Sequence, residues 1–506
     1  MHSHRRHTGA LVFAALAVLA SPLAAQQPTG QQPVRQQDGL TLEEAVTTAR
    51  AGNPDLLAQR NDQRGTRAAL RAARADLYFP SANAQADFGY TGPGVQRFGS
   101  EVFGVRPQYY SSGWYVGIGY ELSGAKLMQP RIARAQENAT ARRVEGFEAN
   151  MVSQVAQQYL TALQAGELAA QAEREVARTV EHERLAKARL EVGAGTPLDV
   201  RRAEVQRGQA EVALLQQRNV HATEVLRLGL AMGRSIPADT RLTSNFTLFE
   251  PRWTAEELVA MAQANNPNLA SARANVSAAR TGIRAARSQY LPTLSFSAGF
   301  RGSVYSAGNL NPLYQSALDN TGARYEGCLQ GNQLATLLGQ PQRPCGQFDV
   351  KNSVVADSVR SSVKDANPRF PFGYERQPLS AGLNFSLPIF NGLQRERRIE
   401  EARVSAQDAE LQVRMQELQL RTNVETALLS LRTAYGAAQL QEQVVQRAGE
   451  ELRLAQERFR FGATSSVEVT DALTSLREAE RARIDAVYNF HKSLAALEAL
   501  VGRSLR

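Results

Sequence analysis

The sequence predicts a mainly α-helical protein with a small β part, built from two copies of one structural unit. Three observations support this fold class. Motifs recur at a fixed offset, two very long stretches keep an apolar period of 3.5 residues, and four short segments alternate apolar and polar residues. The chain has 506 residues with a formal net charge of +9, and its two cysteines exclude a disulfide-dense scaffold or a zinc ribbon.

The N-terminal residues 1–25 are typical of a secretory signal peptide. Arg5 and Arg6 precede an apolar run over residues 10–20, and small residues follow before Gln26. This run is too short to cross a hydrocarbon core of about 30 Å as a helix. A short buried helix is the alternative, but it leaves the basic flank unexplained. We expect an exported chain with a flexible segment over residues 26–40.

Two copies of the unit follow, at residues 41–232 and 254–502, with a linker at 233–253 and a C-terminal end at 503–506. The motif at residues 41–56 returns 213 residues later, whereas the motif at 189–200 returns 269 residues later. The second copy is therefore longer than the first. Two copies are too few for a solenoid, so we expect one pseudo-symmetric body.

Four segments of about ten residues have a clean period of two, as tilted transmembrane β-strands require. Their internal charges, Asp87, Glu121 and Arg301, all fall on the polar parity. A water-soluble sheet with one buried face would show the same alternation. The loop after the third segment, residues 303–378, is rich in Gly, Asn, Pro and Ser and is predicted to be long and irregular. The four predicted strands are residues 81–90, 114–123, 293–302 and 379–388.

The remaining chain is predicted to be helical, with two helices of about 100 Å at residues 125–192 and 393–461. The period of 3.5 in their apolar seams indicates left-handed coiled-coil packing. Tight turns after Gly193 and Gly462 lead into shorter helices, so each copy should form an antiparallel helical hairpin. The shorter helices are expected at residues 55–79, 197–232, 268–291 and 466–501.

This ordered set resembles the TolC family of outer-membrane channel proteins over essentially the whole mature chain. The resemblance rests on the doubled architecture, the Asn-Pro helix breaks at Asn53 and Asn266, the strand ending at residues 385–392 and the two Gly-x5-acid-Val turns. It implies a homotrimer whose four strands per chain complete a 12-strand β-barrel in outer-membrane lipid. The helices would form an α-barrel across the periplasm. Physics requires an oligomer too, because an open strand edge cannot face lipid.

The family resemblance implies a passive conduit of a tripartite efflux or secretion system. An inner-membrane pump would deliver substrates through a periplasmic adaptor protein, without enzyme activity or a cofactor. An exported, non-conducting coiled-coil scaffold remains the alternative if the strands form a soluble sheet. Catalytic motifs such as HExxH, GxSxG and the Walker pattern are absent from the sequence. Basic residues are interleaved with Glu, which argues against nucleic acid as a partner.

The hairpin tips are where the family resemblance places adaptor contacts. Glycine at these positions would also simply permit a positive φ at a helix end, and both roles are compatible. The predicted contact residues are Val192, Gly193, Ala194, Phe461, Gly462 and Ala463.

The family resemblance places a ring of acidic residues, the periplasmic gate, just past the second tip. The matching residues are Glu468 and Asp471, one helical turn apart, and Asp199 is the acid at the first tip. Thr196 with Asp199 and Ser465 with Glu468 also read as capping boxes, which leaves a purely structural role open for both acids. Asp471 lies too deep in the helix to be a cap. Thr464 stands where relatives often carry a basic residue.

Cys328 and Cys345 both lie in the loop at residues 303–378. In an exported loop they are expected to form a disulfide, since thiols oxidise outside the cytosol. Two free thiols are the alternative.

Overall fold

The computed structural model describes residues 39–98 and 100–505, and most of them are helical. The predicted signal peptide (residues 1–25) and nearly all of the predicted N-terminal segment (26–40) lie outside the described residues. Within these ranges two copies of a helix–strand–helix unit follow one another, which confirms the predicted fold class.

The bounds of the elements are as follows, in chain order. The first copy contains α1 (Leu42–Gly52), α2 (Pro54–Tyr78), β1 (Ser81–Thr91), β2 (Gly94–Phe98), β3 (Glu101–Arg106), β4 (Tyr109–Leu122), α3 (Gly124–Glu191) and α4 (Pro197–Met232). The second copy contains α5 (Ala255–Asn265), α6 (Pro267–Arg287), β5 (Thr293–Ala307), α7 (Asn311–Leu337), α8 (Ser353–Ala366), β6 (Glu375–Arg376), β7 (Ser380–Ser386), α9 (Gln394–Arg460) and α10 (Ser466–Val501).

Each copy opens with a helix that is broken at an Asn-Pro pair. The side-chain oxygen of Asn53 accepts the backbone N–H of Asp55 at 3.0 Å and so caps α2, while Pro54 occupies the first helical position. The amide of Asn53 also donates to the carbonyl of Ala231 at 3.1 Å, near the end of α4. Asn266 repeats the arrangement in the second copy. In each copy the asparagine at the helix break therefore connects the first helices to the last one through a hydrogen bond.

The four long helices pack side by side as two hairpins. Towards the hairpin tips the lateral order is α4–α3–α10–α9, and towards the sheet it is α2–α3–α6–α9. The 68-residue α3 and the 67-residue α9 match the predicted long helices. Their buried positions follow the predicted apolar seams. They are Met151, Val155, Ala162, Ala165, Ala172 and Ala186 on α3, with Leu420, Val424, Leu431, Ala438, Ala448, Leu452, Ala455 and Phe459 on α9.

The sheet contains the four predicted strands, all antiparallel, in the order β1–β4–β5–β7. The register aligns Ala82, Ile118, Ala298 and Ala381 across it, so the apolar residues of all four strands share one face. Asp87, Glu121 and Arg301 are on the other face. The alternation in the sequence predicted that these three charged residues would lie on the polar face of the sheet.

Two loops contain more structure than expected. Between the predicted strands at residues 81–90 and 114–123 lie the hairpin of β2 and β3 and the first part of β4. The prediction of an irregular loop at residues 303–378 is wrong, because α7, α8 and β6 lie within it. Neither α7 nor α8 buries a residue. The sequence of α7 carries no apolar stripe that would indicate a helix, whereas α8 has Val355, Val359 and Val363 at helical spacing, a signal that the prediction missed. Among the helices that the structure describes, none is long and apolar enough to cross a membrane.

Candidate functional site at the hairpin tips

The two tips have the same backbone. Gly193 has φ +73° and Gly462 has φ +77°, a left-handed conformation that disfavours any residue with a Cβ. At the first tip the N–H of Ala194 donates to the carbonyl of Arg189 at 2.8 Å, and at the second Ala463 donates to Arg458 at the same distance. These bonds close both helix ends in the same way. The glycines therefore have a structural role.

Arg189 joins the two tips. Its guanidinium donates to the backbone carbonyl of Phe459, at the end of α9, and to that of Ala194 at 2.6 Å in its own turn. The same group lies 4.3 Å from the centroid of the Phe459 ring, within range of a cation–π contact. The first hairpin thus holds the helix end of the second. No local pattern in the sequence predicted this contact, since an arginine near a helix end usually faces solvent.

Asp199 caps the second helix of the first hairpin. One of its carboxylate oxygens accepts the backbone N–H of Thr196 at 3.2 Å, and the hydroxyl of Thr196 accepts the N–H of Asp199 at 3.2 Å. The predicted capping box is present here. It gives Asp199 a structural role at the first tip.

The predicted capping box at the second tip is wrong. Ser465 makes no side-chain hydrogen bond to the start of α10. Glu468 instead accepts Arg458 at 2.7 Å with one oxygen and the hydroxyl of Thr464 with the other. Both carboxylate oxygens are therefore turned towards side chains, and neither accepts the backbone N–H of Ser465. Thr464, one residue earlier, competes successfully for the acid that the sequence assigned to Ser465.

Asp471 lies one turn further along α10, on the same face as Glu468, and is exposed. Its carboxylate has no hydrogen-bond or ion-pair partner within residues 39–98 and 100–505. Of the three predicted gate acids it is the one whose charge is not already matched inside the chain. No group of three or more metal-binding side chains occurs in this described part of the protein.

Two further contacts between the hairpins were missed by the sequence analysis. The ring of His182 is 2% exposed and packs 5.7 Å from the ring of Phe459, with both nitrogens unpartnered. Burial lowers the pKa of His182, and the nearby Asp199 charge partly offsets this effect. Further from the tips, Arg178 on α3 binds Glu480 on α10, and burial raises the pKa of its second partner, Glu175. Both contacts join the first hairpin to the second.

Away from the tips, Cys328 near the end of α7 is bonded to Cys345, with Cα atoms 5.7 Å apart. The bridge links α7 to the turn that precedes α8. It lies on the opposite side of the sheet from the hairpins.

The fold is that of solved outer-membrane channel proteins. CusC shares 17% sequence identity and covers 95% of this chain and 98% of its own, with a TM-score of 0.66. The outer-membrane channel OprN gives 17% identity, 91% and 89% coverage and a TM-score of 0.65. CmeC from Campylobacter jejuni gives 15% identity, 95% and 90% coverage and a TM-score of 0.64. At these identities the likeness is one of fold.

The chain belongs to the outer membrane efflux protein family, whose model matches residues 45–234, 258–326 and 353–503. The outer membrane efflux protein BepC of Brucella suis is 27% identical over 46% of this chain and 51% of its own length. The solvent efflux pump outer membrane protein SrpC of Pseudomonas putida is 27% identical over 60% and 66%. The chain therefore spans about half to two thirds of these relatives. The resemblance and the outer-membrane location predicted from the sequence are confirmed.

Proposed function

We propose that this chain forms, as a homotrimer, the outer-membrane channel of a tripartite efflux system. Substrates would reach it from an inner-membrane pump through a periplasmic adaptor and leave passively. SrpC is named as part of a solvent efflux pump, and small organic compounds are the cargo class that this relative suggests. The chain itself would act as a conduit without a catalytic step or a cofactor.

The observation that carries this proposal is a pair of open edges along the whole length of the molecule. One edge consists of β1, α2 and α4, and the other consists of β7 and α9. Among the described strands, β1 pairs only with β4, and β7 only with β5. An open strand edge cannot remain unpaired in lipid, so β7 of one chain should pair with β1 of the next. Three chains, the number implied by the family resemblance, would close twelve strands.

Exposed apolar side chains at heptad spacing support the same arrangement on the helices. On α4 they include Val205, Val212 and Leu226, and on α9 they include Leu440 and Leu454, which lie at a similar distance from the tips. A row on each edge is what a head-to-tail ring requires, because each interface joins two different surfaces. The exposed rows would be buried between neighbouring chains.

The tips support a contact with an adaptor. Val192 is 77% exposed and Phe461 is 82% exposed, and each directly precedes a tip glycine. Large apolar side chains held in water at the end of a hairpin favour burial against a partner. We propose that Val192 to Ala194 and Phe461 to Ala463 touch the adaptor. The neighbouring acids, Asp471 and Glu468 above all, would line the constriction.

The test combines oligomeric state with conductance. The purified protein should have the mass of a trimer and give discrete conductance steps in planar bilayers. Val212→Arg on the α4 edge should abolish the trimer, because each copy would place a charge in an apolar interface. Leu337→Arg, at an exposed position on α7 outside both edges, is the matched control and should leave the trimer intact. A monomer without conductance would support the scaffold alternative and overturn the proposal.

A further inference from the structure

Arginines form a row along one face of α2 and a second row along the matching face of α6. In the part of each row that lies nearer the hairpin tips, two arginines form salt bridges, each with a glutamate on the neighbouring long helix. The pairs are Arg60–Glu148 at 3.2 Å, Arg67–Glu137 at 3.2 Å, Arg273–Glu417 at 2.8 Å and Arg280–Glu410 at 2.7 Å. Charge along this part of the helices is thus balanced within the chain.

Close to the sheet, the arginines of both rows have no acidic partner within the described residues. Arg71 and Arg74 on α2, and Arg284 and Arg287 on α6, are exposed and form no ion pair within the described residues. The two pairs are equivalent, because Arg71 and Arg74 return as Arg284 and Arg287 at the offset of 213 residues that relates the two copies. Facing them, α3 carries further arginines instead of glutamates at this level. These are Arg131 and Arg134, which are also exposed and make no ion pair in the same part of the structure.

Three of these arginines surround a surface cavity of about 490 Å³ between α3 and α6. Arg131, Arg134 and Arg284 line it, and Thr281 and Ser277 provide hydroxyl groups on its α6 side. The acid in its lining, Glu137, is already bound by Arg67. The hydroxyl of Thr281 donates to the carbonyl of Ser277. The cavity therefore presents three guanidinium groups beside one acid that is already paired. This is the chemistry that binds phosphate, since guanidinium forks match phosphate oxygens.

The arginines nearest the sheet lie at the level where a membrane surface would be, and the cavity lies below them. Arg74 precedes Pro80, and Arg287 precedes Pro292, by about one and a half helical turns, and each proline leads directly into a strand. At 1.5 Å per residue these arginines lie roughly 8 Å below the entry of the strands. The headgroup zone of a bilayer leaflet is about 5–8 Å thick. Long arginine side chains can reach into that zone.

An apolar collar marks the same boundary. Tyr78 and Phe79 at the end of α2, and Ile389 and Phe390 after β7, are all at least two thirds exposed. Exposed aromatic residues at strand ends are typical of the interface of outer-membrane proteins. The arginines thus lie directly beneath an aromatic girdle.

The arginine rows share a face with α1 and α5. Arg60 donates to the carbonyl of Arg50 on α1 at 3.1 Å, and Arg273 donates to that of Gln263 on α5 at 3.1 Å. In the proposed trimer α1 and α5 must lie outside the helical wall, because the lumen has to stay open. The rows therefore face outward. This step rests on the proposed function.

We propose that Arg71, Arg74, Arg131, Arg134, Arg284 and Arg287 bind the phosphate headgroups of anionic phospholipids in the inner leaflet of the outer membrane. Arg74 and Arg287 lie nearest the headgroups, and Arg284 at the rim of the cavity lies about 12 Å below the entry of the strands. Positive side chains beneath a leaflet attract anionic lipids over roughly a Debye length. The site would fix the height and the rotation of the channel in the membrane.

The test measures which lipid stays bound to the purified protein. Wild type is reconstituted in nanodiscs of equal parts phosphatidylglycerol and phosphatidylethanolamine, re-extracted, and its retained lipid is counted by native mass spectrometry. We expect phosphatidylglycerol to be enriched about fivefold in the wild type, the factor that one well-placed arginine can provide. The variant with Arg71, Arg74, Arg284 and Arg287 all changed to Gln should show no enrichment. Equal retention of both lipids by the wild type would overturn the site.

A charge-matched variant controls for net charge. It changes four exposed arginines far from the strands to Gln and should keep the enrichment; these are Arg184, Arg201, Arg421 and Arg453. If it loses the enrichment to the same extent, the effect is one of overall charge and the site is refuted. Lys at the four site positions should preserve most of the enrichment. If the Gln variant does not assemble, the α2 pair and the α6 pair are changed separately, each with an expected partial loss.

Two further readouts separate the possible outcomes. Repeating the assay with inorganic phosphate in place of chloride, at constant ionic strength, should leave the enrichment intact. Its loss would assign the cavity to a soluble anion and overturn the lipid proposal. Conductance is recorded on the same preparations. Conductance without enrichment refutes only the lipid site, whereas enrichment without conductance refutes only the channel.

Discussion

Replacing Arg189 by methionine should loosen the closed tips of the channel. The guanidinium contacts the second hairpin through one charge-assisted hydrogen bond, to the carbonyl of Phe459, and through a cation–π contact with the Phe459 ring. Its bond to Ala194 lies within its own turn and is kept when the tips separate. A hydrogen bond to a charged group contributes about 1.5–3 kcal/mol, and a cation–π contact contributes about 0.5–2 kcal/mol. Against this, the buried Nε of Arg189 has no partner, which costs about 1–3 kcal/mol. The net loss is about 1–2 kcal/mol.

In the proposed channel such a loss would raise the ratio of open to closed tips by a factor of roughly 5 to 30. The assay is single-channel recording in planar bilayers, where wild type should rest in a low-conductance state and Arg189→Met in a higher one. The methionine keeps most of the apolar volume, so that the hydrogen bonds are what is removed.

The repeat supplies a matched control. Arg458 occupies the equivalent position in the second copy, but its guanidinium binds the side chain of Glu468 at the surface. Exposed ion pairs of this kind contribute about 0–1 kcal/mol, so Arg458→Met should change the open probability much less. The reasoning is refuted if Arg189→Met conducts like wild type, or if both variants have the same effect.

Three further outcomes are expected. Asp471→Ala should raise conductance and weaken cation selectivity more than Glu468→Ala, because the charge of Glu468 is already matched; unchanged currents would remove Asp471 from the constriction. Unreduced protein should show no alkylatable thiol at Cys328 or Cys345 by mass spectrometry, and two modified thiols would contradict the bridge. Burial lowers the pKa of His182, so the folded chain favours its neutral ring. That stabilisation is complete above about pH 6.5 and is lost as the pH falls, so His182→Phe should reduce the drop in thermal midpoint between pH 7 and pH 5. An equal drop in both proteins would exclude this histidine as the cause.

The fold was largely predictable because its elements are long and strongly periodic. The two long helices and the four strands each bury or expose one continuous face, and that face is visible as a period in the sequence. Helix α7 was missed for the opposite reason, since it buries no residue and carries no period. Helix α8 has a short apolar stripe at Val355, Val359 and Val363, which was missed because the surrounding stretch has the composition of a loop. The first capping box was predicted correctly from Thr196 and Asp199 because its partners are local.

The candidate site was less predictable because its contacts depend on competition and on distant neighbours. Ser465 and Glu468 have the spacing of a capping box, but Thr464 and Arg458 take both oxygens of the acid. Arg189 and Phe459 lie 270 residues apart, and no local pattern marks their contact. Arg189 and Arg458 are equivalent positions of the repeat. The repeat does not show, however, that one binds a backbone carbonyl of the other hairpin and the other binds Glu468.

The length of α3 has a mechanical consequence. Tyr159 is fully buried and anchors the helix by donating to the carbonyl of Leu40 at 2.8 Å. From this anchor point the helix extends to Val192, a distance of roughly 50 Å at 1.5 Å per residue. A rigid lever of that length converts a pivot of about 5° into a displacement of about 4 Å at its end. A tilt small enough to leave the bond of Tyr159 intact therefore moves the far end by about the width of a small ion.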